Sequence, residues 1–267
     1  MKRAYAAGVL LLIAGFLLVA AVPERVSAET ILNSGTEIFE DTVWTKEGSP
    51  YLVRGMLGIA ETATLSIEPG VEVQFSTSAG IEVLGRLFAR GSPEEPIVFT
   101  SPSESEWNGI SFENKEASSA LDYAIVRYAR SISDLYSKDL LISNTRVEYG
   151  RDGIDVSGSR LSLTNFSVEN MYGEGIDISN GSDVTLKNIV LKNVDSGMVV
   201  YLGSEADISN LVIDTVWDSG GIDVFLNSKV TLRDSSIANI YDNDAIGVFA
   251  SSSVTVRNTK ITYGAYG

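Results

Sequence analysis

Three aspartates, Asp155, Asp177 and Asp223, recur between apolar neighbours in the short segments Gly153-Ile154-Asp155-Val156, Gly175-Ile176-Asp177-Ile178 and Gly221-Ile222-Asp223-Val224. Further acids, Asp152, Glu174, Asp195, Asp218 and Asp242, stand just ahead of these and the related segments. Carboxylates brought into neighbouring rows repel unless a cation bridges them, so Asp155, Asp177 and Asp223 are a candidate weak Ca²⁺ site; the plainer reading is a solvated acidic face. Aromatic residues run in step with the acids. Tyr201, Phe225 and Phe249 fall two positions after the Asp row, while Tyr172, Trp217 and Tyr241 fall in the preceding turn. Rings beside carboxylates suit a sugar, whose CH groups stack on the ring faces while its hydroxyls bond the acids. A cross-strand ladder that only stabilises a sheet would use the same residues. The candidate glycan-binding set is therefore Tyr201, Phe225, Phe249, Trp217 and Tyr241.

Composition narrows the remaining chemistry. The chain of 267 residues has no histidine and no cysteine, which excludes disulfides, thiol nucleophiles, His-dependent triads and His- or Cys-ligated zinc. With 35 acidic against 20 basic residues and a formal charge of −15, it lacks the basic surface that nucleic acid requires. Asp155 and Asp177, if stacked on adjacent strands, would lie about 4.8 Å apart, near the retaining-glycosidase spacing, but every stacked pair has that spacing. No catalytic residue is assigned on that basis.

The elements that must position these residues repeat. The segments at 153–156, 175–178, 197–200, 221–224 and 245–248 follow one another at spacings of 22, 22, 24 and 24 residues. A second pattern, apolar-x-Asn-x-x-apolar, runs in step through Asn144, Asn165, Asn188, Asn210, Asp234 and Asn258. Each unit holds three short runs that alternate apolar with polar residues, the period of a strand. Repetition of three strands every 22–24 residues fits one coil of a parallel β-helix. The inward stacks would be Ile154, Ile176, Met198, Ile222 and Ile246 on the first face, and Leu163, Leu186, Ile208, Leu232 and Val256 on the second. Asn tolerates the left-handed backbone of a sharp turn, and stacked amides can bond from coil to coil. In this repeat the sequence resembles the right-handed, single-stranded parallel β-helix (pectin-lyase-like) superfamily, whose inward asparagine ladder is matched by Asn144, Asn165, Asn188, Asn210 and Asn258. The resemblance implies an all-β fold. Lyases of that superfamily pair Ca²⁺-binding acids with an Arg base, and its hydrolases pair clustered Asp with a His. Here Arg151 is the one Arg close to the acidic rows of the repeats, so no catalytic motif carries over.

Residues 1–28 read as a signal peptide: Lys2-Arg3, an apolar stretch over 6–22, and the small-residue cleavage site Val26-Ser27-Ala28, with the mature chain starting at Glu29. Residues 29–108 read as an N-terminal β cap and first coils, like the opening segment of exported bacterial β-helix surface proteins, with Val43 to Val53 covering the blunt end. Residues 102–106 read as a loop excursion, and Tyr123 and Asp134 as imperfections of the first repeats, the latter at an inward position. Residues 109–267 form the repeats, which stop in mid-coil at Gly267 as in a fragment of a longer protein. The sequon at Asn165 is discounted because the ladder is expected to point inward. The leading functional expectation is a secreted or cell-surface, non-catalytic β-helix binding polysaccharide or envelope glycan, with no stable membrane insertion after cleavage. The alternatives are a polysaccharide lyase or glycoside hydrolase, and a structural stalk or adhesin segment.

Overall fold

The computed structural model describes residues 29–262 except 117, 138 and 242; the expected signal peptide and Asp242 lie outside the described residues. Among the described residues the structure is all β, broken only by a 3-10 turn at Lys46–Gly48. The chain winds as a parallel solenoid in which each strand pairs with its counterpart one coil away. The first strands of the coils, from Glu37–Ile38 to Ile246–Val248, form one ten-stranded sheet. The second and third strands of the coils make a second, seventeen-stranded sheet.

The expected inward stacks exist in register. Ile154, Ile176, Met198, Ile222 and Ile246 are successive partners on the first sheet, and Leu163, Leu186, Ile208, Leu232 and Val256 on the second. All are fully buried except Ile246 and Val256 in the last described coil, where Val256 is 43% exposed. The glycine that opens each first strand has a packing reason. A Cβ at Gly153, Gly175 or Gly197 would lie 2.2, 2.6 or 2.2 Å from the carbonyl oxygen of the next coil, so only glycine lets the coils approach there.

Second and third strands run on as single bent strands in Arg160–Glu169, Asp183–Val194 and Glu205–Val216. The bends fall at Asn165, Asn188 and Asn210, which take φ of 52°, 56° and 55°; Asn144, Asp234 and Asn258 do the same at 47°, 54° and 46°. The asparagine ladder is present but faces outward. Asn165, Asn188, Asn210 and Asn258 are exposed and Asn144 half-buried, because a left-handed residue at a convex corner directs its side chain away from the core. Each amide donates to the preceding coil: Asn144 to Asp122, Asn165 to Asn144, Asn188 to Asn165 and Asn210 to Asn188, at 2.8–2.9 Å. Asp234 accepts from Asn258 at 3.2 Å but has no N–H to pass back to Asn210. Burial therefore does not explain why Asn165 should go unglycosylated; its amide is engaged on both sides of the ladder.

A second ladder, not singled out in the sequence, lies inside. The hydroxyls of Ser159, Ser182, Ser204, Ser228 and Ser252 accept the backbone N–H of Ser137, Ser159, Ser182, Ser204 and Ser228 respectively, at 3.0–3.2 Å. These serines satisfy amides of the turn after the first strand that would otherwise be buried without partners.

The segment expected to cover the blunt end is itself a coil. Thr42–Trp44 pairs with Thr64–Ile67, and Tyr51–Val53 pairs with both Thr30–Leu32 and Glu72–Phe75. Trp44 and Tyr51 point inward and stack at 4.5 Å, so large rings fill the first coils where aliphatic stacks fill the later ones. Residues 102–106 are a loop, as expected, between Ile97–Thr100 and Ile110–Phe112.

Candidate functional site

The outward row of the ten-stranded sheet reads Ser133, Asp155, Asp177, Val199, Asp223, Gly247. Asp155 and Asp177 are direct neighbours, whereas Asp223 lies beyond the coil of Val199. The three expected calcium ligands therefore do not converge, and among the described residues no group of three or more acids is placed to hold a metal ion. Asp223 is nearly buried against glycine backbone: a Cβ at Gly220 or Gly247 would come within 2.5 or 2.4 Å of its Oδ1. Burial raises its carboxyl, the Gly220 N–H opposes that shift, and Asp244 adds to it.

Asp155 and Asp177 stand in a different setting. Burial raises the Asp155 carboxyl, and the Asp152 and Glu174 charges add to that while the Ser131 hydroxyl and Arg151 oppose it. Asp177 is pushed up to about 8, first by burial, then by a hydrogen bond and charge from Glu174 and by the charge of Asp155. The Tyr201 hydroxyl pulls the other way. Glu174 and Asp177 stand three residues apart in Glu174–Ser179, so the Glu174 carboxylate favours the protonated form of Asp177. Arg151, the one Arg noted near the acidic rows, is turned to Asp152 at 3.4 Å.

Aromatic residues border this acidic floor on both sides. Where the chain leaves the first strand, the amides of Tyr201, Phe225 and Phe249 bond the preceding coil equivalently, so the three side chains fall in register. Phe225 and Phe249 stack at 4.9 Å with 13° between planes. Where the chain arrives at the strand, Trp217 and Tyr241 stack at 5.0 Å with 12° between planes, and the Trp217 Nε1–H donates to Asn193 Oδ1 at 2.7 Å. Tyr172 does not join that pair, since Asp195 occupies the intervening coil; its hydroxyl donates to Glu106 Oε2 in the 102–106 loop. Burial, then the Glu106 contact, pushes the Tyr172 phenol up to about 12. Tyr128 and Tyr149, stacked at 6.0 Å, stand in the same turn two positions ahead of that row and are not singled out by the sequence pattern. Their signal is the left-handed turn residue before the first strand, which is Tyr128, Tyr149, Asn170, Asn193, Thr215 and Asn239 in successive coils.

Between the two borders lies a depression of about 360 Å³, walled by Glu174, Asp177, Tyr201, Phe225 and Leu226 and floored by Val199. Rings, carboxylates and a phenol converge on one open space. Trp217, Tyr241 and Phe249 do not line it, although Phe249 stacks on Phe225 at its edge.

A family model described as "Right handed beta helix region" matches residues 131–267, just over half of the chain, and the chain belongs to that family. The similarity to an individual relative is local. Over 69 residues it is 39% identical to protein bark beetle of Drosophila melanogaster, a match covering 26% of this chain and 2% of that protein. Among solved structures, the mannuronan C-5 epimerase AlgE4 A-module of Azotobacter vinelandii aligns over 90% of both chains at 12% identity, with a TM-score of 0.27. A likeness at that score carries no argument about this chain's activity.

Proposed function

We propose that this chain is an extracytoplasmic, non-catalytic β-helix that binds polysaccharide along the exposed face of its ten-stranded sheet. The observation that carries the reading is the depression in which Tyr201 and Phe225 stand beside Glu174 and Asp177, with stacked ring pairs along both borders. A parallel sheet repeats this border at about 4.8 Å per coil, so an extended sugar chain could engage several coils in succession. The basic, apolar and small-residue pattern of residues 1–28 supports export. Retention of the purified chain in gels cast with a panel of soluble polysaccharides tests the reading. Phe225→Ala is expected to weaken retention several-fold with little change in melting temperature, because a half-exposed ring contributes more to a sugar contact than to the core. Lost stability with unchanged retention would make the rings packing elements and favour the structural-stalk reading.

One observation favours an enzyme as the second reading. A carboxyl raised to about 8, as at Asp177, carries the proton that a general acid would need at neutral pH. Release of reducing ends or unsaturated sugars from a retained polysaccharide, abolished in Asp177→Asn, would replace the non-catalytic reading.

A further inference from the structure

The walls of the depression are chemically one-sided. Its charged members, Glu174 and Asp177, are both acids, and no Lys or Arg lines it. Arg151, whose charge reaches the neighbouring Asp155, is paired with Asp152. Both acids are only half-exposed, and two neighbouring carboxyls are poorly solvated in a space closed on one side by the Tyr201 and Phe225 rings and by Leu226. A ligand entering this space displaces the remaining water, so the charge it brings decides whether the acids are paired or stranded. A uronate would add a third carboxylate. A neutral sugar would satisfy hydroxyl contacts and leave the charge uncompensated. An ammonium group bound to a sugar ring would donate to both carboxyls while the ring's CH face lies on Phe225.

Resting on the glycan-binding reading, we infer that the ligand is a polysaccharide carrying free primary amines, held with an ammonium between Glu174 and Asp177 and a sugar face against Phe225 and Tyr201. The raised Asp177 carboxyl accords with this geometry, because burial and the neighbouring Glu174 and Asp155 charges disfavour its anion and a bound ammonium would offset them. Selectivity follows from the same charges: the pocket pairs an amine, and acetylation of the amine removes both the charge and two of its N–H donors.

Isothermal titration of the purified chain tests this with three oligosaccharide sets of equal length: glucosamine oligomers at a pH where the amine is protonated, N-acetylglucosamine oligomers, and uronic acid oligomers with and without Ca²⁺. Glucosamine oligomers are expected to bind at least tenfold more tightly than the acetylated set, with a preference that shrinks as salt is added. Glu174→Gln/Asp177→Asn is expected to erase the preference while the melting temperature shows the fold retained, and Phe225→Ala to weaken both sets alike. Because the chain carries −15 overall, a polyamine could be attracted without any site. A double variant that keeps the full preference therefore overturns the inference. Equal affinity for glucosamine and N-acetylglucosamine oligomers also overturns it while leaving glycan binding in place, and so does Ca²⁺-dependent preference for uronates. Binding of none of the sets overturns the inference, and the glycan-binding reading falls with it only when the polysaccharide panel also fails to retain the chain. Should the double variant fail to fold, Asp177→Asn alone serves, with at least a threefold loss of preference expected and none overturning the inference.

Discussion

Asp134 occupies an inward position of the first sheet, stacked between Phe112 and Val156, and is fully buried. Neither of its carboxyl oxygens is in bonding geometry with a partner among the described residues. Burial raises the carboxyl, and the neighbouring Ser137 and Ser159 hydroxyls oppose the shift. The consequence for stability has a definite sign. An acid whose folded pKa is raised is carried protonated in the fold, so unfolding releases a proton between its ordinary value of 3.8 and the raised one. Its contribution is intact below that window, declines as pH rises through it, and stays lost above. Urea denaturation at a series of pH values should show Asp134→Asn flattening part of the fall in stability between acid and neutral pH. Asp134→Leu should stabilise the neutral protein by about 1–3 kcal/mol, by removing an unsatisfied buried group. The anomaly was visible in the sequence as an Asp in an apolar column. The pairing of Glu174 with Asp177 was less visible, since a turn acid and a strand acid meet only once the local path of the backbone is known. Tyr201 completes that cluster from the following coil.

At the scale of the coil, two ladders do different work. The outward asparagines hold a left-handed corner in water, where each amide bond contributes about 0.5–1.5 kcal/mol and the backbone strain of a non-glycine residue about 1–2 kcal/mol. Asn188→Gly should therefore cost less than Asn188→Leu, because glycine loses the amide bonds but relieves the strain at φ 56°. The reverse order would mean that the side-chain bonds dominate. The inward serines act where water is excluded. Ser204 is fully buried, accepts from the Ser182 amide at 3.2 Å and donates to the Tyr201 carbonyl at 2.8 Å, so Ser204→Ala should cost about 1–3 kcal/mol in thermal or chemical unfolding. The apolar stacks were legible because burial enforces one residue type at one phase of the repeat. The facing of the asparagines was not, because a turn residue's φ sets its direction and periodicity carries no information about φ. The serines recur at 22–24 residues too, yet serine is common in exposed turns and its burial leaves no compositional trace. The segment from Val43 to Val53 lacks the glycine-led motif of the later coils, yet Trp44 and Tyr51 alternate with outward residues as a coil requires.

Taken whole, the molecule is a stack in which nearly every contact joins adjacent coils, so its stability is a sum of coil and interface terms and need not be uniform along the axis. Hydrogen exchange should find the slowest amides in Arg160–Glu169, Asp183–Val194 and Glu205–Val216, whose inward residues are buried on both sides. Exchange should be faster in Ser253–Arg257 and Lys260–Thr262, where Val256 and Ile261 are 43% and 42% exposed. Uniform protection from end to end would contradict the additive picture. Circular dichroism of the whole chain should be dominated by strand.

The asparagine ladder is also a polarised structure. Every bonded amide in it from Asn144 to Asn210 donates toward the N-terminus, which leaves a side-chain oxygen facing the coil that comes next. A finished coil thus offers its successor an open strand edge and an acceptor at the corner, at a sequence separation of only 21–23 residues. A chain delivered N-terminus first across a membrane would not have to wait for distant partners. Each length that emerges could be laid on the one before it, and the growing fold itself would oppose backsliding through the export channel.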